Sequence, residues 1–319
     1  MLTRVPVPWT NAYGIARTLI ALGTAGTLLF SSTATLFRPV ATLGDHPRCE
    51  GLGSAGAFCL VPREHLGWMQ WACVIILLIT ASGWRPRLTA LPHAYVAFSV
   101  FTGISLVDGG DQLAAILALL LTLPALGDPR RWHWHPLPED PTPATPSRRA
   151  WALAGVSALV MVRLQMSFVY FQASIAKLPH AEWADGSGMY YWANGLSFGA
   201  PHWMRPVTEP LVSHPWGTAL LTWIPLFIEI ALAATLLIPQ RYRWHLLAAG
   251  LAFHFCIATM MGLWSFALTM WGGLFLLCLP LGGALHRTPK ETPEPSEENP
   301  APLPPQLPVA PETTPATTG

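Results

Sequence analysis

From Leu246 to Leu285 the chain runs for 40 residues without a single formal charge. A helix needs only about 20 apolar residues to cross roughly 30 Å of hydrocarbon. This stretch therefore holds two spans, with Gly262 as the candidate turn between them. Further apolar runs of spanning length go from Thr18 to Phe37, Leu66 to Trp84, Leu88 to Val107, Leu113 to Gly127, Trp151 to Ala176 and Trp216 to Ile238. The expected fold is all-α: a polytopic transmembrane bundle of about eight spans.

Composition agrees, because 52% of the residues are hydrophobic and only 11% charged, against roughly 25% charged in a soluble domain. Fifteen Trp suit a chain with many membrane boundaries, where indoles collect. The net charge of +1 offers nothing to nucleic acid; the partner implied throughout is the lipid bilayer. The first apolar run is long enough to stay as an uncleaved span rather than act as a cleaved signal.

Lys and Arg are retained on the cytoplasmic side of membranes. With eight spans, Arg4, Arg17, Arg85, Arg87, Arg130, Arg131, Arg148, Arg149, Arg241, Arg243, Arg287 and Lys290 fall on one side, 12 in all, against Arg38, Arg48, Arg63, Lys177 and Arg205, 5 in all. Both termini are thus expected in the cytoplasm of a multi-pass plasma-membrane protein. The domain reading is a membrane domain at 1–285 and a cytoplasmic tail at 286–319. That tail carries 10 Pro in 34 residues, a composition that cannot bury a core and is expected to be disordered.

Charged groups inside a span cost about 2.5–3.5 kcal/mol each, so each needs a partner or a task. Arg163, Glu229 and His254 are such groups. Counted at 1.5 Å per residue from the ends of their segments, they lie at similar depths. The expectation is an Arg163–Glu229 pair with His254 nearby, either fixing helix register or carrying protons. Arg163, Tyr170, Ser174 and Lys177 share one helix face. Lys177 at its outer mouth is a candidate base, or else a lysine snorkelling to headgroups. His93 and the pair His133 and His135 are the candidate metal ligands, but the pair lies in a Pro-rich inner loop with no third ligand at a metal-site spacing, so no metal is expected.

Cys49 and Cys59 fall in the first outer loop, on the oxidising side, where a disulfide persists. Such a staple is worth about 2–3 kcal/mol; a redox-active pair is the alternative. Cys73, Cys256 and Cys278 lie within spans as packing residues. There is no G-x-x-x-x-G-K-[ST] phosphate loop and no nucleophile–base spacing of a protease.

The segment Tyr170-Phe171-Gln172-Ala173-Ser174-Ile175-Ala176-Lys177-Leu178, followed by Glu182-Trp183, Gly186 and Tyr190-Tyr191, resembles the signature of the HTTM, or vitamin K-dependent γ-carboxylase-like, membrane family. Glu229, the basic Arg241 and Arg243, and His254 followed by Gly262, Trp264 and Phe266 fit the same family. Ala16-Arg17-Thr18-Leu19 with the two outer cysteines makes the chain most similar to the SdpB branch, over roughly Ile15 to Gly283. The resemblance implies that Lys177 stands where the carboxylase lysine deprotonates reduced vitamin K, with a quinone as cofactor if that chemistry applies. The carboxylases continue into a large lumenal domain where this sequence has its Pro-rich tail, so glutamate carboxylation is not expected. For the SdpB branch, the resemblance implies production of a secreted, SdpC-like antimicrobial peptide alongside an SdpA-like partner. A transporter or immunity protein is the remaining alternative.

Overall fold

The computed structural model describes residues 6–41, 44–135, 145–195 and 199–282, within a compact unit spanning Met1–Leu285. The Pro-rich tail expected from 286 onward lies outside the described residues. Among the described residues there is no strand, and each of the eight expected segments forms a long helix. These are α1 (Asn11–Leu29), α2 (Leu66–Ser82), α3 (Pro86–Gly103), α4 (Gly109–Gly127), α5 (Pro146–Lys177), α6 (Pro215–Ala233), α7 (Arg243–Met261) and α8 (Trp264–Cys278). All but α3 and α8 are long and apolar enough to cross a membrane.

The helix limits follow local chemistry. Thr10 caps α1 by accepting from the Tyr13 amide, which starts the helix seven residues before the apolar run expected from Thr18. The same run breaks after Leu29: Ser32 caps a separate short helix, Thr33–Leu36, so Phe37 is not part of the first span. Asp108 and Asp111 form a capping box that draws the start of α4 back to Gly109, satisfying the orphan donors of its first turn. Gly262 ends α7, as the uncharged 40-residue run requires.

α1, α4 and α8 form the centre of the bundle. Ile20, Leu117, Leu121, Met166, Leu274 and Leu277 pack there into one buried cluster. Backbones approach closely along the α1–α8 seam; a Cβ on Gly272 would lie 2.8 Å from the Ala16 carbonyl oxygen. Small residues serve membrane bundles in this way because lipid gives helices no hydrophobic drive to associate, leaving packing to hold them. Exposed aromatics mark both ends: Trp68, Trp71, Trp203 and Trp216 at one, Trp134, Trp151, Tyr242 and Trp244 at the other. That is the placement of indoles and phenols at two membrane boundaries.

Arg17 does not flank the first span as the charge count assumed; it is buried within α1 and donates to Thr89 Oγ1 at 2.6 Å. Beside it, a loop after α4 folds inward. Asp128 and Arg130 pair at 2.8 Å while almost wholly buried. The loop is tied to the α2–α3 corner by Arg85 N donating to Arg131 O at 2.7 Å and His133 N to Gly83 O at 3.0 Å. His133, in the Pro-rich inner loop, is fully buried. Burial, with the Arg17 and Arg130 guanidinium groups nearby, holds its imidazole down at about 3.

Below an unfolded value of about 6.5 the unfolded chain binds a proton at His133 that the folded chain refuses. Stability from this group is therefore complete above that value and lost progressively as pH falls towards 3. Thermal unfolding in detergent should show a loss of about 1–2 kcal/mol on acidification from about pH 7 to about pH 5. A His133→Phe variant should show a flatter pH profile; an unchanged slope would remove His133 as its source.

Candidate functional site

α5 ends at Lys177, and the chain then crosses the same end of the bundle in short helices, including Ala181–Ala184 and Gly188–Ala193, before entering α6. This crossing segment is fastened to α6. Thr222 Oγ1 donates to the Gly186 carbonyl at 2.9 Å and accepts from the Met189 amide at 3.0 Å. Trp223 Nε1 donates to the Trp183 carbonyl at 3.1 Å. Gly186 sits at φ +83°, and a Cβ there would come within 3.1 Å of the Trp223 ring and 3.2 Å of Ala219. Both the left-handed backbone and the close approach call for glycine.

Under this segment the Lys177 ammonium donates to both carboxylate oxygens of Glu229, each at 2.5 Å. Glu229 is buried and Lys177 mostly so, their side chains keeping 7% and 22% of their surface. The Lys177 Nζ lies 5.2 Å from the Trp183 ring centroid, within cation–π range. The Tyr170 hydroxyl and His254 Nε2 meet at 2.9 Å, both groups buried. His254 Nδ1 is buried without a hydrogen-bond partner, and the ring stacks edge-on against Phe266.

Lys177 thus meets Glu229 and Tyr170 meets His254, but the expected Arg163–Glu229 pair does not form. Arg163 instead donates from Nε to the Leu276 carbonyl at 3.0 Å and from Nη2 to the Leu279 carbonyl. It caps the C-terminal end of α8, where a cation satisfies orphan carbonyls. Nor does Lys177 snorkel to a boundary, since its amine is turned to a carboxylate. Of the motif residues, Trp183 forms the wall beside Lys177 and Glu182 lies within 3.8 Å of His180. Ser174 bonds back to the Phe171 carbonyl, and the Phe171 side chain is half exposed on the outside of α5. Cys49 and Cys59 are joined as a disulfide. Among the described residues no group of three or more His, Cys, Asp or Glu is placed to hold a metal.

The Lys177–Glu229 pair floors a cavity of about 250 Å³, with walls that include Trp183, Met189, Trp192, Phe253, Met260 and Phe266. Trp183 and Phe266 stand in the motif segments, but spacing does not indicate Met189, Trp192, Phe253 and Met260 as walls, because the six come from four separate helices. Their only linear trace is the clustering of Met and aromatics after Trp183 and around Gly262.

A bundle with helices of crossing length and a charged pair under apolar walls defines a multi-pass α-helical membrane protein with an internal polar site. No family model and no solved structure matches the chain. It is 32% identical over 283 residues to YitO of Bacillus subtilis, covering 88% of this chain and 89% of that protein. It is 29% identical over 276 residues to the sporulation-delaying protein SdpB of the same organism, covering 86% and 83%. The chain belongs to the SdpB family.

Removing one partner of a buried ion pair strands the other. Glu229→Leu alone should cost about 2–3 kcal/mol, the low end for buried pairs because Lys177 retains some exposure. The double variant Lys177→Met/Glu229→Leu should recover most of that loss in thermal unfolding. Additive losses would mean that the two groups are not energetically coupled.

Proposed function

We propose that this protein is an integral membrane factor in the production of a secreted antimicrobial peptide, working at the outer face of the plasma membrane through the Lys177–Glu229 pocket. The observation that carries this reading is the pocket itself, found in a chain of the SdpB family. SdpB is by name a sporulation-delaying protein, and membrane-spanning helices fit a factor of such a system. An SdpC-like precursor and an SdpA-like partner are the molecules this reading implies.

The charge bias supports the orientation. With Arg17 taken into α1 and Lys177 turned to Glu229, eleven inner-side residues remain against four, which favours cytoplasmic termini and an outer-side end for α5. The Cys49–Cys59 disulfide suits the same oxidising side. A second reading, catalysis with Lys177 as base, is supported by the Tyr170–His254 hydrogen bond on the same helix face as Lys177, since hydrogen-bonded titratable groups can relay a proton.

The test is mass spectrometry of secreted peptides from cells with the wild-type gene, a deletion, or Lys177→Ala at matched membrane levels. Loss or alteration of one peptide in both altered strains is expected. A peptide profile unchanged by the deletion would sink the proposal. A profile changed by deletion but not by Lys177→Ala would keep the maturation role and remove the lysine from it.

A further inference from the structure

The pocket above Lys177 and Glu229 has walls contributed by α6 and α7, through Leu221 and Pro225 on one and Phe253, Cys256 and Ile257 on the other. These are spanning helices with little of their surface buried inside the protein: 28% of the α6 window and 22% of the α7 window, against 61% for α1. Cys256 is exposed and lines the pocket at once, so it stands at the mouth. It lies five residues before the end of α7 at Met261, about 7.5 Å into the helix. The mouth therefore opens on the lateral face of α7 below its end, between helices of membrane-crossing length.

The two polar groups on the floor neutralise each other. A charged ligand group would have to break that pair and lose its own hydration, whereas an uncharged apolar group would replace lipid with Met and aromatic side chains. The volume narrows the choice further. About 250 Å³ is too small for a helix, whose diameter is about 10–12 Å, and falls below the roughly 300–1,000 Å³ of pockets for drug-sized ligands. It suits one large or two smaller apolar side chains.

We propose that the pocket is entered laterally from the bilayer between α6 and α7, and that it receives uncharged apolar side chains of the peptide substrate while that peptide lies in the membrane. This rests on the peptide-production reading and adds the route and the part of the substrate that is held. Recognition would come from the adaptable Met189, Met260 and Met261 lining, and charged residues of the peptide would remain outside.

Cys256 is a natural reporter: Cys73 and Cys278 are buried, and Cys49 and Cys59 are joined. In native membranes, Cys256 should react with neutral N-ethylmaleimide about a hundredfold faster than with a permanently charged trimethylammonium thiosulfonate, relative to a free thiol, given the cost of charge within hydrocarbon. Cys256→Ala should abolish the labelling. Equal relative rates would overturn the lateral route.

Cys256 would then carry a benzophenone maleimide and be irradiated in membranes from cells that make the peptide, with adducts mapped by mass spectrometry. Crosslinks to an uncharged apolar stretch of the secreted product or its precursor are expected. Adducts with lipid alone, or with a charged stretch, would overturn the assignment of the occupant. Because these readouts do not depend on the amount of secreted product, they can fail while the deletion strain still shows the peptide-production role.

Discussion

An ammonium and a carboxylate 2.5 Å apart beneath apolar walls set the terms for the rest of this bundle. Neither charge could be left alone at that level without a penalty of several kcal/mol. The helices that carry them must therefore be positioned so that the last residue of α5 reaches the last third of α6. This dictates an offset: α5 cannot end flush with the start of α6. It is 32 residues long, about 48 Å at 1.5 Å per residue, well beyond the hydrocarbon thickness. Its surplus length lies at the opposite end, where Arg148 and Arg149 open the helix.

The same offset explains why the charged layer was mispaired from sequence. Depths counted from helix ends hold only where those ends are level. Arg163 and Lys177 are 14 residues apart on α5, about 21 Å, so only one of them can reach Glu229. Once Lys177 is sunk to the glutamate, Arg163 falls at the end of α8, where it finds the Leu276 and Leu279 carbonyls. A helical wheel places residues on a face, but it carries no information on how far one helix slides past another. That sliding is decided by tertiary packing.

What could be read directly was whatever depends on local composition. The eight apolar segments, the break at Gly262 and the staple between two cysteines in one short loop follow from patterns within a few dozen residues. The Tyr170–Lys177 face was legible for the same reason, being a periodicity within one helix. The start of α1 was not, because Thr10 and the buried Arg17 override the simple extent of the apolar run. Arg17 reads as a flanking charge until Thr89 on another helix is known to accept its hydrogen bond. His133 likewise looks like a loop residue until the loop is seen to fold under the α2–α3 corner.

Stability alone gives no reason for a lysine and a glutamate to be where they are. A buried ion pair replaced by apolar side chains of similar volume is commonly neutral or more stable. The surrounding walls could accommodate such a replacement, since they are already Met, Trp and Phe. A purely structural account would need the pair to fix a register that packing leaves open. Yet α5 is already keyed to α8 through Arg163, and α6 to the crossing segment through Thr222 and Trp223. The pair is therefore not the sole fastener of these helices. What it adds is an amine and a carboxylate lining an apolar cavity, in a bundle that also holds a hydrogen-bonded phenol and imidazole on α5 and α7, which is a reason of chemistry rather than of folding.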